Sequence, residues 1–189
     1  VPDFRMALAG VPHKELFDVI TDYSLGYPER FTKEQLASRR SKGMLSTTYT
    51  CCPDLPPNIE TYNDPADAAY LPLYCQANGF EGYLHWSWMN WTDQPLQDSR
   101  FKLFPAGDTY LIYPGPRSSV RWERFIEGVQ QVEKYRILRE ECQREGNADG
   151  VKKLDDALRS FQSGQPNYHN TTAQSVNYFE CLLNEMSAK

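Results

Sequence analysis

The chain has 189 residues and a formal net charge of -5, and its 40% hydrophobic content allows one domain with a core. The acidic balance, with a pI near 5.3, argues against a nucleic-acid partner, which wants clustered Lys and Arg. No apolar run approaches the roughly 20 residues that span a bilayer, and five Cys with three His show no zinc-type spacing, so no metal or other cofactor is expected.

Taken in chain order, residues 4–8 read as a short strand, and residues 16–23 contain a second that ends at Asp22 and Tyr23. A helix over 31–42 follows, started by a capping box of Thr32 and Gln35 with Phe31 and Leu36 as its hydrophobic staple, and ended by Gly43. Residues 45–49 (LSTTY) make a third strand, rich in β-branched side chains. Residues 51–63 form a loop with three Pro. Asp64 and Pro65 open the next helix, which runs towards Asn78 and Gly79, with Pro72 expected to kink or split it. Residues 82–90 (GYLHWSWMN) read as a long fourth strand. Residues 92–108 are irregular, and residues 109–113 (TYLIY) form a strand-like run stopped by Pro114, Gly115 and Pro116.

Three helices complete the pattern. Trp122, Phe125, Ile126, Val129 and Val132 mark the core stripe of the first, over residues 119–144. Val151, Leu154, Leu158 and Phe161 mark the second. Thr171 and Gln174 cap the third, whose stripe is Val176, Phe179, Leu183 and Met186. The early alternation of strand and helix predicts a parallel sheet. Four such units are half of what a closed (β/α)-barrel needs. The expected architecture is α/β: the C-terminal half of a TIM-like (β/α)-barrel over residues 1–117, then a three-helix segment over 118–189 whose first helix packs on the barrel. The chain opens on a strand without a secretory leader, and the strand count anticipates a further N-terminal portion. A half barrel exposes strand edges, so it should pair with the missing half or self-associate.

Ligands of parallel α/β folds bind at the C-terminal strand ends. The expected rim residues are Asp22, Tyr23, Tyr49, Thr50, the run from His85 to Trp91, and Asp93. Alternation along the fourth strand would put Trp86, Trp88 and Asn90 on one side, and His85, Ser87 and Met89 on the other. The 12 Tyr, 9 Phe and 4 Trp supply flat platforms for the C–H faces of sugars. Asp and Asn can bind vicinal hydroxyls. Arg121 and Arg124, cations at a helix start, oppose the dipole and are expected to meet buried carboxylates such as Asp108 in a structural network. Glycosidases normally use two carboxylates. Glu140-Glu141 and Asp155-Asp156 read as solvated charge, no Asp-Glu dipeptide occurs, and only Asp22 and Asp93 are rim acids that could act as a pair. The triplets starting at Asn90 and Asn170 match the glycosylation sequon.

The run GYLHWSWMNW, then DSRF, PAGDTYLIYPG and SSVRWERFIEG, with TTYTCC and PPN upstream, resembles the C-terminal half of the glycoside hydrolase family 123 catalytic domain. It is also similar to the related bacterial domain-of-unknown-function family 4091. The resemblance covers roughly residues 1–140. It implies a barrel acting on β-linked N-acetylgalactosamine by retaining hydrolysis assisted by the 2-acetamido group. It also implies an adjacent Asp-Glu pair, in which the Asp orients the acetamido group and the Glu is the acid. That pair is absent and would lie upstream of Val1, so the chain alone is expected to be inactive. The carried-over positions are Tyr49, Trp86 and Trp91 as pocket-wall aromatics, with Asp22 and Asn90. The rival expectation is a non-catalytic carbohydrate-binding or scaffold protein sharing the fold; a third is a small enzyme using Asp22 and Asp93. Polysaccharide-degrading relatives suggest a periplasmic or cell-surface location.

Overall fold

The computed structural model describes residues 4–27, 29–51, 57–100, 103–115, 117–162 and 171–188. Val1, Cys52, Phe101, Pro116, His169 and Asn170, and with Asn170 the second sequon, lie outside the described residues. Strands β1 (Ala7–Gly10), β2 (Asp22–Gly26), β3 (Leu45–Tyr49) and β4 (Gly82–Leu84) form one parallel sheet in sequence order. A 3-10 turn over Lys14–Leu16 lies between β1 and β2; α1 (Lys33–Ser41) and α2 (Ala66–Asn78) make the next two crossovers. Then come α3 (Val120–Arg144), α4 (Ala148–Arg159) and α5 (Thr172–Ser187). The mixed α/β fold with a parallel sheet is as expected.

Three strand positions differ from expectation: β1 covers Ala7–Gly10 and not residues 4–8, and β2 and β4 are displaced as well. β2 begins at Asp22, where a strand was expected to end. The cause is Arg39. Its guanidinium takes the carbonyls of Phe17 at 2.5 Å and Ile20 at 3.0 Å, so residues 16–20 turn instead of pairing. The same side chain bonds Ser46 Oγ at 2.9 Å and the Leu45 carbonyl at 2.7 Å, and lies among the rings of Phe17, Tyr23 and Phe31. Arg39 is wholly buried at the N-terminal edge of the sheet, and burial lowers its pKa.

β4 stops at Leu84, not near Asn90. From there the chain leaves the sheet and pairs with a later loop. The Trp88 carbonyl accepts from Leu111 and Ile112, and the Asn90 N–H donates to Thr109. Residues 109–113 are accordingly turns and isolated bridges, Met89 to Tyr110 and Tyr113 to Arg117, and not a strand.

The starts of α1 and α5 follow the sequence, while α2 has Pro65 and not Asp64 at its cap position, with Asp64 Oδ1 accepting from the Ala66 N–H at 2.9 Å. Both capping boxes form, Thr32 with Gln35 and Thr171 with Gln174. Phe31 and Leu36 are both buried, as a staple requires. α2 is mostly apolar and central, with Ala66 to Cys75 buried, Asp67 among them. It continues through Pro72 as one helix and ends at Gly79 in the left-handed conformation. α3 packs along it at Gly128, where a β-carbon would overlap the Ala69 carbonyl oxygen. The buried line of α3 therefore includes Gly128, Tyr135 and Leu138, while Val129 of the expected stripe is exposed. The stripes of α4 and α5 bury as expected, with Leu154, Val176, Phe179 and Leu183 at 0% exposure. Asp155 is not simply solvated: it pairs with Arg139 and accepts from the Tyr135 hydroxyl at 2.7 Å, tying α4 to α3.

Tyr23 and Leu25 pack in the core, so their neighbours Asp22, Ser24 and Gly26 face the other way. Register partners Ala7, Ala9, Leu45, Thr47 and Tyr49 share that second face. Ala7, Ala9 and Leu45 are exposed there. Asp22 Oδ1, Ser24 Oγ and Thr47 Oγ1 are buried on it without a hydrogen-bond partner among the described residues.

Candidate functional site

The C-terminal end of the sheet carries Tyr49, the residues after Leu84, and the loop over 103–113. Tyr49 closes β3, and its ring lies over Gly26, where a β-carbon would meet its hydroxyl at 3.1 Å. From β4 onwards the aromatic side chains divide into two groups. Tyr83 and His85 turn towards α3: Tyr83 contacts Phe125 at 5.6 Å, and His85 stacks on Tyr83 at 6.4 Å. Trp88 joins this inner layer edge-on to Trp122, at 5.2 Å. Trp86 does not. The expected common face of Trp86, Trp88 and Asn90 is thus corrected, because the segment is bent and bridged and not an extended strand.

Trp86 is 42% exposed, yet it is fixed on two sides. Its ring lies against Phe104 at 4.9 Å, and its Nε1–H donates to Asp108 Oδ2 at 3.0 Å. Asp108 itself is buried. The loop that carries Asp108 is held from below by Arg121, on the first turn of α3. Its guanidinium donates to the carbonyls of Ile59 (2.6 Å), Gly107 (2.8 Å) and Tyr110 (2.7 Å). The expected carboxylate partner of Arg121 is therefore replaced by three main-chain oxygens, which satisfy a buried guanidinium as well. Arg124 pairs with Glu127 at 2.5 Å, one turn along its own helix, and does not reach Asp108. Gly107 has φ 90°, and a β-carbon there would meet Thr61 at 2.5 Å, so the loop closes on a glycine.

Trp91 is exposed, with its Nε1–H bonded to the Ile112 carbonyl at 2.7 Å. Asn90 and Asp93 are exposed in the same stretch. Asp22 is not part of this end. It opens β2 and pairs in register with Ala7 and Leu45, about 13 Å of strand below Gly26. Asp22 opens β2, whereas Asp93 lies in the exposed stretch that follows β4, and no contact joins the two weak acid candidates among the described residues. Tyr49, Trp86, Trp91, Asn90 and Asp93 are at the end expected for a ligand; Asp22 is not.

His85 is buried beneath this end. Burial pushes its pKa down from 6.5 to about 4; the Asp108 main chain opposes the shift and Arg121 adds to it. The ring is neutral at ordinary pH. Burial likewise raises the Tyr83 phenol, whose oxygen is 2.5 Å from Thr50 Oγ1. Among the described residues no group of three or more His, Cys, Asp or Glu could hold a metal ion. Two cavities of about 450 Å³ and 460 Å³ lie on the helical side, near Lys33, Gln76 and Gln162, away from Trp86. Sequence reasoning missed the Trp86–Asp108 bond and Phe104, since contacts across 22 residues leave no periodic signal.

A comparison with curated proteins finds no match. Among solved structures, the chain is similar to a family 123 glycoside hydrolase from Clostridium perfringens, described in terms of glycolipid glycan hydrolysis. The TM-score is 0.79 at 23% identity, over 98% of this chain and 36% of that one. The likeness is one of fold, and this chain spans little more than a third of that protein. Residues 1–138 match the glycoside hydrolase 123 catalytic domain. That match covers most of the 189 residues, and the chain belongs to the glycoside hydrolase 123 family.

Proposed function

We propose that this chain forms the aromatic wall of a sugar-binding cleft, and that the complete protein is a glycosidase cleaving β-linked N-acetylgalactosamine by retaining, substrate-assisted hydrolysis. The family supports hydrolysis of a glycan, and the similar clostridial protein acts on glycolipid glycans. No Asp-Glu pair occurs in the chain. The acid and the acetamido-orienting carboxylate would come from outside these residues, and the chain by itself gives no turnover. The second face of the sheet would be covered by further barrel strands of the same protein or by a second copy. A periplasmic or cell-surface location fits such a substrate.

One observation carries the reading: an exposed Trp86 ring, backed by Phe104 and held by a buried carboxylate, at the strand end where ligands of such folds bind. A ring fixed in this way offers an apolar plane to a sugar without an ordering cost on binding. The test is a titration of tryptophan fluorescence with N-acetylgalactosamine, with glucose as control. A saturable change specific to the amino sugar, lost in Trp86→Ala, is expected. No change with either sugar removes Trp86 from the site. The absent Asp-Glu pair favours a second reading, a non-catalytic carbohydrate-binding protein. Turnover of an aryl β-N-acetylgalactosaminide by the complete protein decides against it.

A further inference from the structure

We infer that Asp108 is a positioning residue that sets the orientation of Trp86 and thereby the sugar affinity of the site; this rests on the reading of Trp86 as the sugar platform. The Asp108 carboxylate is 1% exposed, so it does not present itself to solvent or ligand. It accepts the indole Nε1–H of a ring that is itself 42% exposed. An exposed indole normally leaves that N–H to water and rotates among rotamers. Here one end of the ring is anchored and Phe104 lies against it at 4.9 Å, while 42% of the residue stays exposed.

The anchor is in turn fixed. The Asp108 N–H donates to Pro105, at 3.2 Å, and Gly107 donates to Ser99, at 3.1 Å. Arg121 holds the carbonyls on either side of Asp108, those of Gly107 and Tyr110. The line of support runs from α3 through the loop to the carboxylate and then to the ring.

The experiment uses the whole chain and reads Trp86 separately from sugar. The near-UV circular dichroism of wild type minus Trp86→Phe isolates the signal of a fixed Trp86. Asp108→Leu is expected to erase that difference signal. Asp108→Asn, which keeps an acceptor oxygen, is expected to retain it. Asp108→Leu should weaken N-acetylgalactosamine binding about tenfold, the scale of one hydrogen bond, and Asp108→Asn should restore most of it. In the Trp86→Phe background Asp108→Leu should have no further effect. A full loss in that background, or an unchanged Trp86 signal in Asp108→Leu, overturns the assignment. If Asp108→Leu erases the signal while neither substitution alters sugar binding, the platform reading fails and the positioning of the ring stands. Wild type supplies a check that needs no folded Asp108→Leu variant. The Trp86 indole proton, assigned by its loss in Trp86→Phe, should exchange slowly with solvent in NMR; exchange as fast as free indole refutes the anchor.

Discussion

Gly128 on α3 rests against the carbonyl oxygen of Ala69 on α2, with no room for a side chain between the two helices. Helix propensity alone would make Gly128→Ala stabilising by about 1 kcal/mol. Overpacking costs about 1–3 kcal/mol and should win, because the obstacle is main chain and cannot rotate away. Urea denaturation should show a lower midpoint for Gly128→Ala; a higher one would mean that the helices are further apart.

Arg39 anchors the opposite edge of the sheet from Trp86. Lys in its place keeps the charge but cannot reach Ser46 and the carbonyls of Phe17, Ile20 and Leu45 together. Each carbonyl left buried and unpaired costs about 1–3 kcal/mol. Arg39→Lys is expected to destabilise by at least about 3 kcal/mol in chemical denaturation, while the fluorescence response of the distant Trp86 to sugar persists in the folded fraction.

Trp86 and Trp88 are two residues apart and should behave oppositely. Trp88 packs on Trp122 and Phe125, so Trp88→Ala should cost about 3 kcal/mol of stability. Trp86→Ala should change the melting temperature far less and remove the response to N-acetylgalactosamine. The reverse pattern in thermal melts would assign the core role to Trp86.

Two buried groups titrate against each other. Burial raises Asp67 from 3.8 to about 6, despite bonds from Thr172 and Asn58. Its folded pKa lies above its unfolded one, so its stabilisation is complete below 3.8 and is lost as pH rises to about 6. His85, depressed to about 4, stabilises fully above 6.5 and loses that as pH falls towards 4. Each effect is about 3 kcal/mol by linkage. Between pH 4 and 6 the two slopes oppose. Urea midpoints should therefore vary little in wild type, fall on acidification in Asp67→Asn, and rise on acidification in His85→Gln. Parallel pH profiles for all three proteins would remove both groups as the source.

The starts of α1 and α5 and the third strand were legible because their signals are local. Thr32 with Gln35, Thr171 with Gln174 and the run over Leu45–Tyr49 fold as written. The second and fourth strands were misplaced because distant groups compete for their main chain. Arg39 takes the carbonyls that a strand over 16–20 would have used, and beyond Leu84 the Trp88 carbonyl accepts from Leu111 and Ile112 while the Asn90 N–H donates to Thr109. The same shift moved Asp22 to the wrong end of the sheet. Trp86 was legible as a residue of the strand end, but not as a ring set apart from Trp88; its tie to Asp108 was not legible either, since a carboxylate in a turn 22 residues later has no pattern to betray it.

The row formed by Asp22 Oδ1, Ser24 Oγ and Thr47 Oγ1 lies within the open face of the sheet. Those atoms are already closed off from solvent and, among the described residues, without partners, so each carries a cost of about 1–3 kcal/mol within the chain itself. What a neighbour meets on this face is apolar, Ala7, Ala9 and Leu45, and the unsatisfied polar atoms lie beneath that layer. An oily surface sticks to any other oily surface.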